Sequence, residues 1–314
     1  RRTKGKTYPL KLILEGLSLY NLGWHIPAAA RRLKDRFGIM VPTRTLDDWI
    51  HEQRDLLTYA RLRDRGRALF SPHQVIRATR LYHRQVYMYR IHRAKLTLLI
   101  NEEDPRHEAF APLRDFLEAV PKECPHHLFQ EGASQRGSEI AAKFDLEGVE
   151  IRERENFAPR ITAFALQGAP ENKQRHDTLE KFMLINDSVT VATEIPVWLT
   201  PEDIAYMRSR LGFTIPFPTA QPLTGHIDLL QIRNGAIHIL DYKPRAHQDK
   251  PLAQLVFYAL ALSRRTRLPV SAFKCAWFDD EHYFEFFPLH VVYKKKRQKR
   301  TARTPVAPAA TGAV

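Results

Sequence analysis

The chain has 314 residues and carries 49 Lys and Arg against 35 Asp and Glu, a formal net charge of +14. That length is enough for two domains and a sizeable core, and the absence of any run of 18 apolar residues excludes a membrane-spanning helix. Cys124 and Cys275 are the only cysteines, too few for a disulfide framework and in keeping with a reducing cytoplasm.

Residues 1–7 are basic and read as a frayed end. Leu12, Ile13, Leu17 and Tyr20 recur at helical spacing, which predicts a first helix from about Pro9 to Leu22, closed by Gly23. Pro27 suits the first turn of a second helix, Ala28 to Arg36, closed by Gly38. Thr43 is the expected N-cap of a third, Arg44 to about Tyr59, with Leu46, Trp49, Ile50 and Leu57 as its apolar stripe.

Three short helices with a Gly-containing turn fit a helix-turn-helix over residues 1–60. The run Val41-Pro42-Thr43-Arg44-Thr45-Leu46-Asp47-Asp48-Trp49-Ile50 resembles the start of recognition helices in transposase-type DNA-binding domains. The resemblance implies that Arg44 reaches base edges or phosphate, with His51 further along the exposed face. Asp47 and Asp48 fit this poorly, since acids repel phosphate; they would accept from cytosine or cap the helix dipole. A small helical bundle that binds protein is the competing reading.

Residues 1–100 hold 21 Lys and Arg against 7 Asp and Glu, a surplus that points to a polyanion partner. Residues 61–104 read as a basic helical connector. Its main element is a long helix from about Pro72 to Ile100, bearing Arg77, Arg80, Arg84, Arg90, Arg93 and Lys95 with Tyr82, Tyr87 and Tyr89 interleaved. The pattern suits backbone tracking with base stacking, and equally a tyrosine core under a solvated arginine face.

A shift from basic to mixed composition at Asn101–Pro105 opens a second domain, 105–293, in which acids outnumber bases by 28 to 21. Helices are expected at Ala111–Val120 and Ser138–Phe144. Cys124-Pro125-His126-His127 offers metal ligands but no second cluster to complete a structural zinc site, so none is expected. A helix from Asn172 to Leu184 places His176 and Glu180 one turn apart, and an alternating strand over Val189–Leu199 carries Glu194. A short helix, Glu202 to Leu211, leads into a proline-rich extended connection.

The most informative stretch is Gly225 to Pro244: two short apolar runs joined by Asn234-Gly235, the turn pair of a type I′ hairpin. A two-residue loop sets Ile232 against Ile237, Leu230 against Ile239 and Asp228 against Asp241. Side chains alternate with period two, so Lys243 shares the face of both acids. Apolar residues on both faces mark central strands. Two carboxylates opposed inside a sheet repel each other, and a hard divalent cation would relieve that. A helix from Pro251 follows, with Gln254 and Tyr258 one turn apart, and then strands near Val270–Phe278 and His282–Pro288. The tail, 294–314, is basic and then Pro/Ala-rich, and reads as disordered.

Asp228 on one strand, Asp241-Tyr242-Lys243 on the next and Gln254-xxx-Tyr258 on a helix resemble the PD-(D/E)XK nuclease superfamily and its RecB-like branch. The resemblance implies an α/β fold with a restriction-endonuclease-like mixed sheet flanked by helices, preceded by the all-α region. It implies a Mg²⁺- or Mn²⁺-dependent deoxyribonuclease. Asp228, Asp241, Lys243, Gln254 and Tyr258 would be catalytic; His176, Asp228, Asp241 and the Tyr242 carbonyl would hold metal, with Glu180 and Glu194 in reserve. Lys243 would position or deprotonate the attacking water, its pKa lowered by metal and burial. Arg44, His51, Arg77, Arg80 and Arg84 would bind DNA. Two cysteines cannot ligate the iron–sulfur cluster of some RecB-like nucleases. Two alternatives are a strand-cleaving subunit of a mobile element, working with other transposition or recombination proteins, and a silent DNA-binding protein. A cytoplasmic, nucleoid-associated protein is expected.

Overall fold

A computed structural model describes residues 8–168 and 172–293; the basic first residues and the 294–314 tail lie outside the described residues. Three helices, α1 (Leu10–Asn21), α2 (Ile26–Phe37) and α3 (Thr43–Glu52), pack around Leu12, Leu17, Leu33, Leu46 and Trp49, as the apolar spacing requires. Gly38 ends α2 in the left-handed conformation, φ 67°. Thr43 is the first residue of α3 rather than its cap; Pro42 holds that position, and the helix stops at Glu52, short of Tyr59. The chain continues through α4 (Ala60–Leu69).

The long helix expected from Pro72 to Ile100 does not form. Residues 76–92 are instead a hairpin, β1 (Ile76–Tyr82) and β2 (Val86–His92), and only Arg93–Leu98 (α5) is α-helical. The segment is rich in β-branched and aromatic residues, and alternation along β2 buries Tyr89 and Ile91. Its arginines are thereby distributed over a strand pair and its turn. Lys95 is fully buried, donating to the carbonyls of Leu184 and Thr190 at 2.7 and 3.1 Å, with Asp187 at 3.4 Å.

Next come α6 (Ala111–Glu123), β3 (Gln135–Arg136), β4 (Arg152–Glu153), α7 (Phe157–Leu166), α8 (Asn172–Asn186), β5 (Thr190–Leu199) and α9 (Pro201–Arg210). The helix expected over Ser138–Phe144 is absent; a 3₁₀ turn at Gly137–Glu139 gives way to irregular chain. The hairpin turning at Asn234-Gly235 is β6 (Leu223–Arg233) and β7 (Ala236–Tyr242), followed by α10 (Leu252–Thr266), β8 (Phe273–Phe278), β9 (Tyr283–Phe286) and α11 (Pro288–Val292).

The strands form one nine-stranded sheet ordered β1-β2-β5-β6-β7-β8-β9-β4, with β3 alongside β6. Pairing is antiparallel except for β3–β6 and β7–β8, the latter joined by the crossover helix α10. Alternation divides the core. Leu230, Ile232, Ile237 and Ile239 face α10, whereas Leu229 and Leu240 face α7 and α8. The three-helix unit packs on the second layer through a buried amide contact: Asn21 Nδ2 donates to Asn186 Oδ1 at 3.0 Å.

Because β2 pairs with β5 through Arg90–Thr193 and Ile91–Ala192, Ile91 is a core residue with no exposed surface. Ile91→Ala is expected to cost about 2–5 kcal/mol in urea unfolding. A loss within about 0.5 kcal/mol, the behaviour of a surface position, would contradict this placement.

Candidate active site

The Asn234-Gly235 turn has φ values of 54° and 72°, as a type I′ loop needs, and it fixes the expected register from Arg233–Ala236 through Leu230–Ile239. The ladder's last pair is Leu229 with Leu240. Beyond it the strands do not exchange backbone bonds at Asp228 and Asp241; instead Asp228 Oδ2 accepts the Tyr242 N–H at 3.0 Å. Both acids line one cleft of about 290 Å³, together with Lys243, Gln254, Tyr258 and His176. Gly225 lets α10 close on the cleft: a Cβ there would lie 2.6 Å from Tyr258 Cε1.

Within this cleft Lys243 Nζ lies 2.7 Å from Asp241 Oδ2, an ion pair outside hydrogen-bond angles. Gln254 Nε2 donates to Asp241 Oδ1 at 3.2 Å and to the Tyr258 hydroxyl at 2.8 Å, so the two helix residues support one carboxylate. From α8, His176 Nδ1 stands 3.8 Å from Asp228 Oδ2, and its ring meets Tyr242 edge-on at 5.0 Å. Glu194, at the point of β5 between the pairs Thr193–Leu229 and Ile195–Ile227, stands across from Asp228 with φ 53°, a conformation costly for a non-glycine residue and characteristic of working sites.

Burial dominates the electrostatics. It raises the Asp241 carboxyl to about 7, with Asp228 adding repulsion against the partial relief from Lys243. Burial likewise raises Asp228, and raises Glu194 to about 8 with help from Asp228. Glu180 is shifted well upward for the same reason. In metal-free protein burial alone would lower Lys243, but Asp241 and Asp228 hold its ammonium above the ordinary lysine value. His176 is lowered by burial, which favours the neutral ring.

The structure brings Asp228, Asp241, Lys243, Gln254, Tyr258 and His176 into one cleft, packs the Tyr242 side chain in the core beside α7 and α8, and separates the expected DNA contacts. Arg44 and His51 lie exposed on α3. Arg77 pairs with Glu118 at 2.7 Å and donates to its carbonyl, while Arg80 is exposed on β1. Arg84, in the β1–β2 turn, lines the cleft and donates to the carbonyls of Gln130 and Ser134. Arg136, Tyr87, His83 and His226 also line it, and of these the sequence pointed only to Tyr87, as a base-stacking residue. His226 was within reach of the period-two rule, being two residues before Asp228 on the same face. Its ring stacks on Tyr87 with centroids 3.6 Å apart.

A family model described as the PD-(D/E)XK nuclease superfamily matches residues 126–307, more than half of the chain. The chain belongs to the PD-(D/E)XK nuclease superfamily. No curated protein and no solved structure matches it. PD-(D/E)XK nucleases generally use divalent metals, and the donors here fit one. His176, Glu180 and Asp228 bring ligand atoms within 4.8 Å of one another, and Glu180 Oε1 is buried with no hydrogen-bond partner among the described residues. Glu180, expected only as a reserve, is thus as well placed as His176.

An acid whose pKa is raised on folding holds its proton more tightly folded than unfolded. The folded state then binds more protons between the ordinary carboxylate range and about pH 7–8, and stability falls as pH rises through that window. For metal-free protein, the melting temperature of Asp241→Asn is expected to gain on that of the wild type between pH 5 and pH 8. A gap that stays constant would refute the shift.

Proposed function

We propose that the protein is a metal-dependent deoxyribonuclease that hydrolyses phosphodiester bonds. The observation that carries this reading is the convergence of Asp228, Asp241 and Lys243 in one cleft, with Gln254 bonded to Asp241 and Glu180 Oε1 without a hydrogen-bond partner among the described residues. Asp228 and Asp241, with His176, Glu180 and the Tyr242 carbonyl as further donors, would hold Mg²⁺ or Mn²⁺. When bound, the ion supplies a lowered pKa for coordinated water and counter-charge for the phosphate.

The chain's own groups do the rest. Lys243, kept as an ammonium by its carboxylate neighbours, orients the attacking water and offsets charge growing on the scissile phosphate. Gln254 fixes the Asp241 carboxylate, and Tyr258 fixes Gln254. Arg84 and Arg136 on the cleft wall give the backbone phosphates a cationic track. The α1–α3 unit delivers the enzyme to DNA, with Arg44 and His51 on the exposed face of α3 as its contacts.

Closed-circular, linear and single-stranded DNA incubated with Mg²⁺ or Mn²⁺ test this. Lys243→Ala and Asp241→Ala should lower the cleavage rate by about 10²–10³-fold or more while DNA affinity stays near wild type. Arg44→Ala should weaken binding and flatten the salt dependence of what remains. Chelator-insensitive cutting, or full activity in Lys243→Ala, would overturn the assignment.

A further inference from the structure

We propose a second metal site, for zinc, formed by His83, Cys124 and His126 outside the acidic centre. These residues come from three places: the β1–β2 turn, the residue that caps α6, and a 3₁₀ turn at His126–Phe129. Their ligand atoms, one from each residue, all lie within 4.8 Å of one another. Zinc with nitrogen ligands at about 2.0–2.1 Å and sulfur at about 2.3 Å separates tetrahedral donors by roughly 3.3–3.7 Å. Small side-chain adjustments therefore suffice.

The hydrogen-bond pattern points the same way. His83 faces another imidazole nitrogen at each of its own: Nδ1 lies 2.7 Å from His226 Nε2, and Nε2 lies 3.0 Å from His126 Nδ1. With an ion held by His83 Nε2 and His126 Nδ1, His83 Nδ1–H is free to donate to His226, the outer-shell bond that orients a metal-bound imidazole. The buried Cys124 thiol makes no hydrogen bond among the described residues, whereas Cys275 donates to the Leu255 carbonyl.

The backbone is tied down on both sides of the cluster. His83 N–H donates to the Gln85 carbonyl at 3.1 Å, Arg84 N–H to the Phe129 carbonyl at 3.1 Å, and His126 N–H to the Cys124 carbonyl at 2.8 Å. The His83 ring also stacks on Phe129, centroids 4.2 Å apart, which gives the site an apolar wall.

A thiolate with two imidazoles is a softer donor set than the carboxylates of the acidic centre. It selects zinc, and cobalt as a probe, over magnesium. Three protein ligands leave the fourth position to water. Zinc here would clamp the β1–β2 turn, with Arg84 and the rim of the cleft, to the end of α6.

The inference does not rest on the nuclease reading, and its test reads no cleavage. The full chain, after a mild chelator wash, should retain about one zinc per molecule by elemental analysis. Asp241→Asn should keep that zinc, and Cys124→Ser should lose it. Cobalt-loaded wild type and Asp241→Asn should show a thiolate-to-cobalt charge-transfer band, which an all-oxygen-and-nitrogen site cannot give. Zinc should raise the melting temperature of the stripped wild type but not of Cys124→Ser. His126→Asn, altered on the less buried side, repeats the comparison if Cys124→Ser folds poorly. Wild type without zinc, zinc content indifferent to both substitutions, or a cobalt spectrum lacking the thiolate band would each overturn the site and leave a hydrogen-bonded chain of histidines.

Discussion

Asp228 and Asp241 line one cleft at the end of the β6–β7 hairpin, Asp241 nearly removed from water and Asp228 half-buried, and much of the surrounding architecture answers to that fact. Burying carboxylates is costly unless they are paired, hydrogen-bonded or protonated. Here all three remedies operate. Lys243 pairs with Asp241, Gln254 and the Tyr242 N–H donate to the two side chains, and burial raises both acids toward the neutral form. Such a site is poised rather than relaxed. Its unfavourable electrostatics are of the kind that a bound cation relieves.

The register of the β6–β7 hairpin is therefore a functional constraint as well as a structural one. A slip of one residue would turn Asp228, Asp241 and Lys243 toward α7 and α8 and send Leu229 and Leu240 into the cleft. The Asn234-Gly235 turn opposes the slip at one end, and α10 opposes it at the other by pressing Tyr258 against Gly225. The geometry of the cleft is thus set by the backbone turn and the helix that closes on it.

Basic residues in the first third of the chain have unequal roles. Lys95 is spent inside the fold, holding the end of α8 and the start of β5, and Arg77 and Arg90 are paired with Glu118 and Asp177. Arg84 reaches the cleft because a hairpin, not a helix, carries it there. Positive charge in a sequence gives the sign of a partner without saying which charges meet it.

Local rules were enough for much of this protein. The Asn-Gly turn determined a register, period two then put Asp228, Asp241 and Lys243 on one face, and one helical turn linked Gln254 to Tyr258; each rule acts over fewer than about twenty residues. The β1–β2 hairpin escaped because its turn, His83-Arg84-Gln85, contains none of the Gly, Asn or Pro residues that mark a reversal, while its arginines and tyrosines mimic a helical face. Glu180 and Glu194 were legible as reserve metal ligands, but not their approach to Asp228, which the packing of α8 and β5 decides. His83 could not be joined to Cys124 and His126 at all, since about forty residues separate them and only the packing of the β1–β2 turn against the 3₁₀ turn after α6 closes that distance. Short-range periodicity and turn chemistry are written in the sequence, whereas contacts between distant segments depend on how the whole core packs, and that was decided only by the tertiary structure.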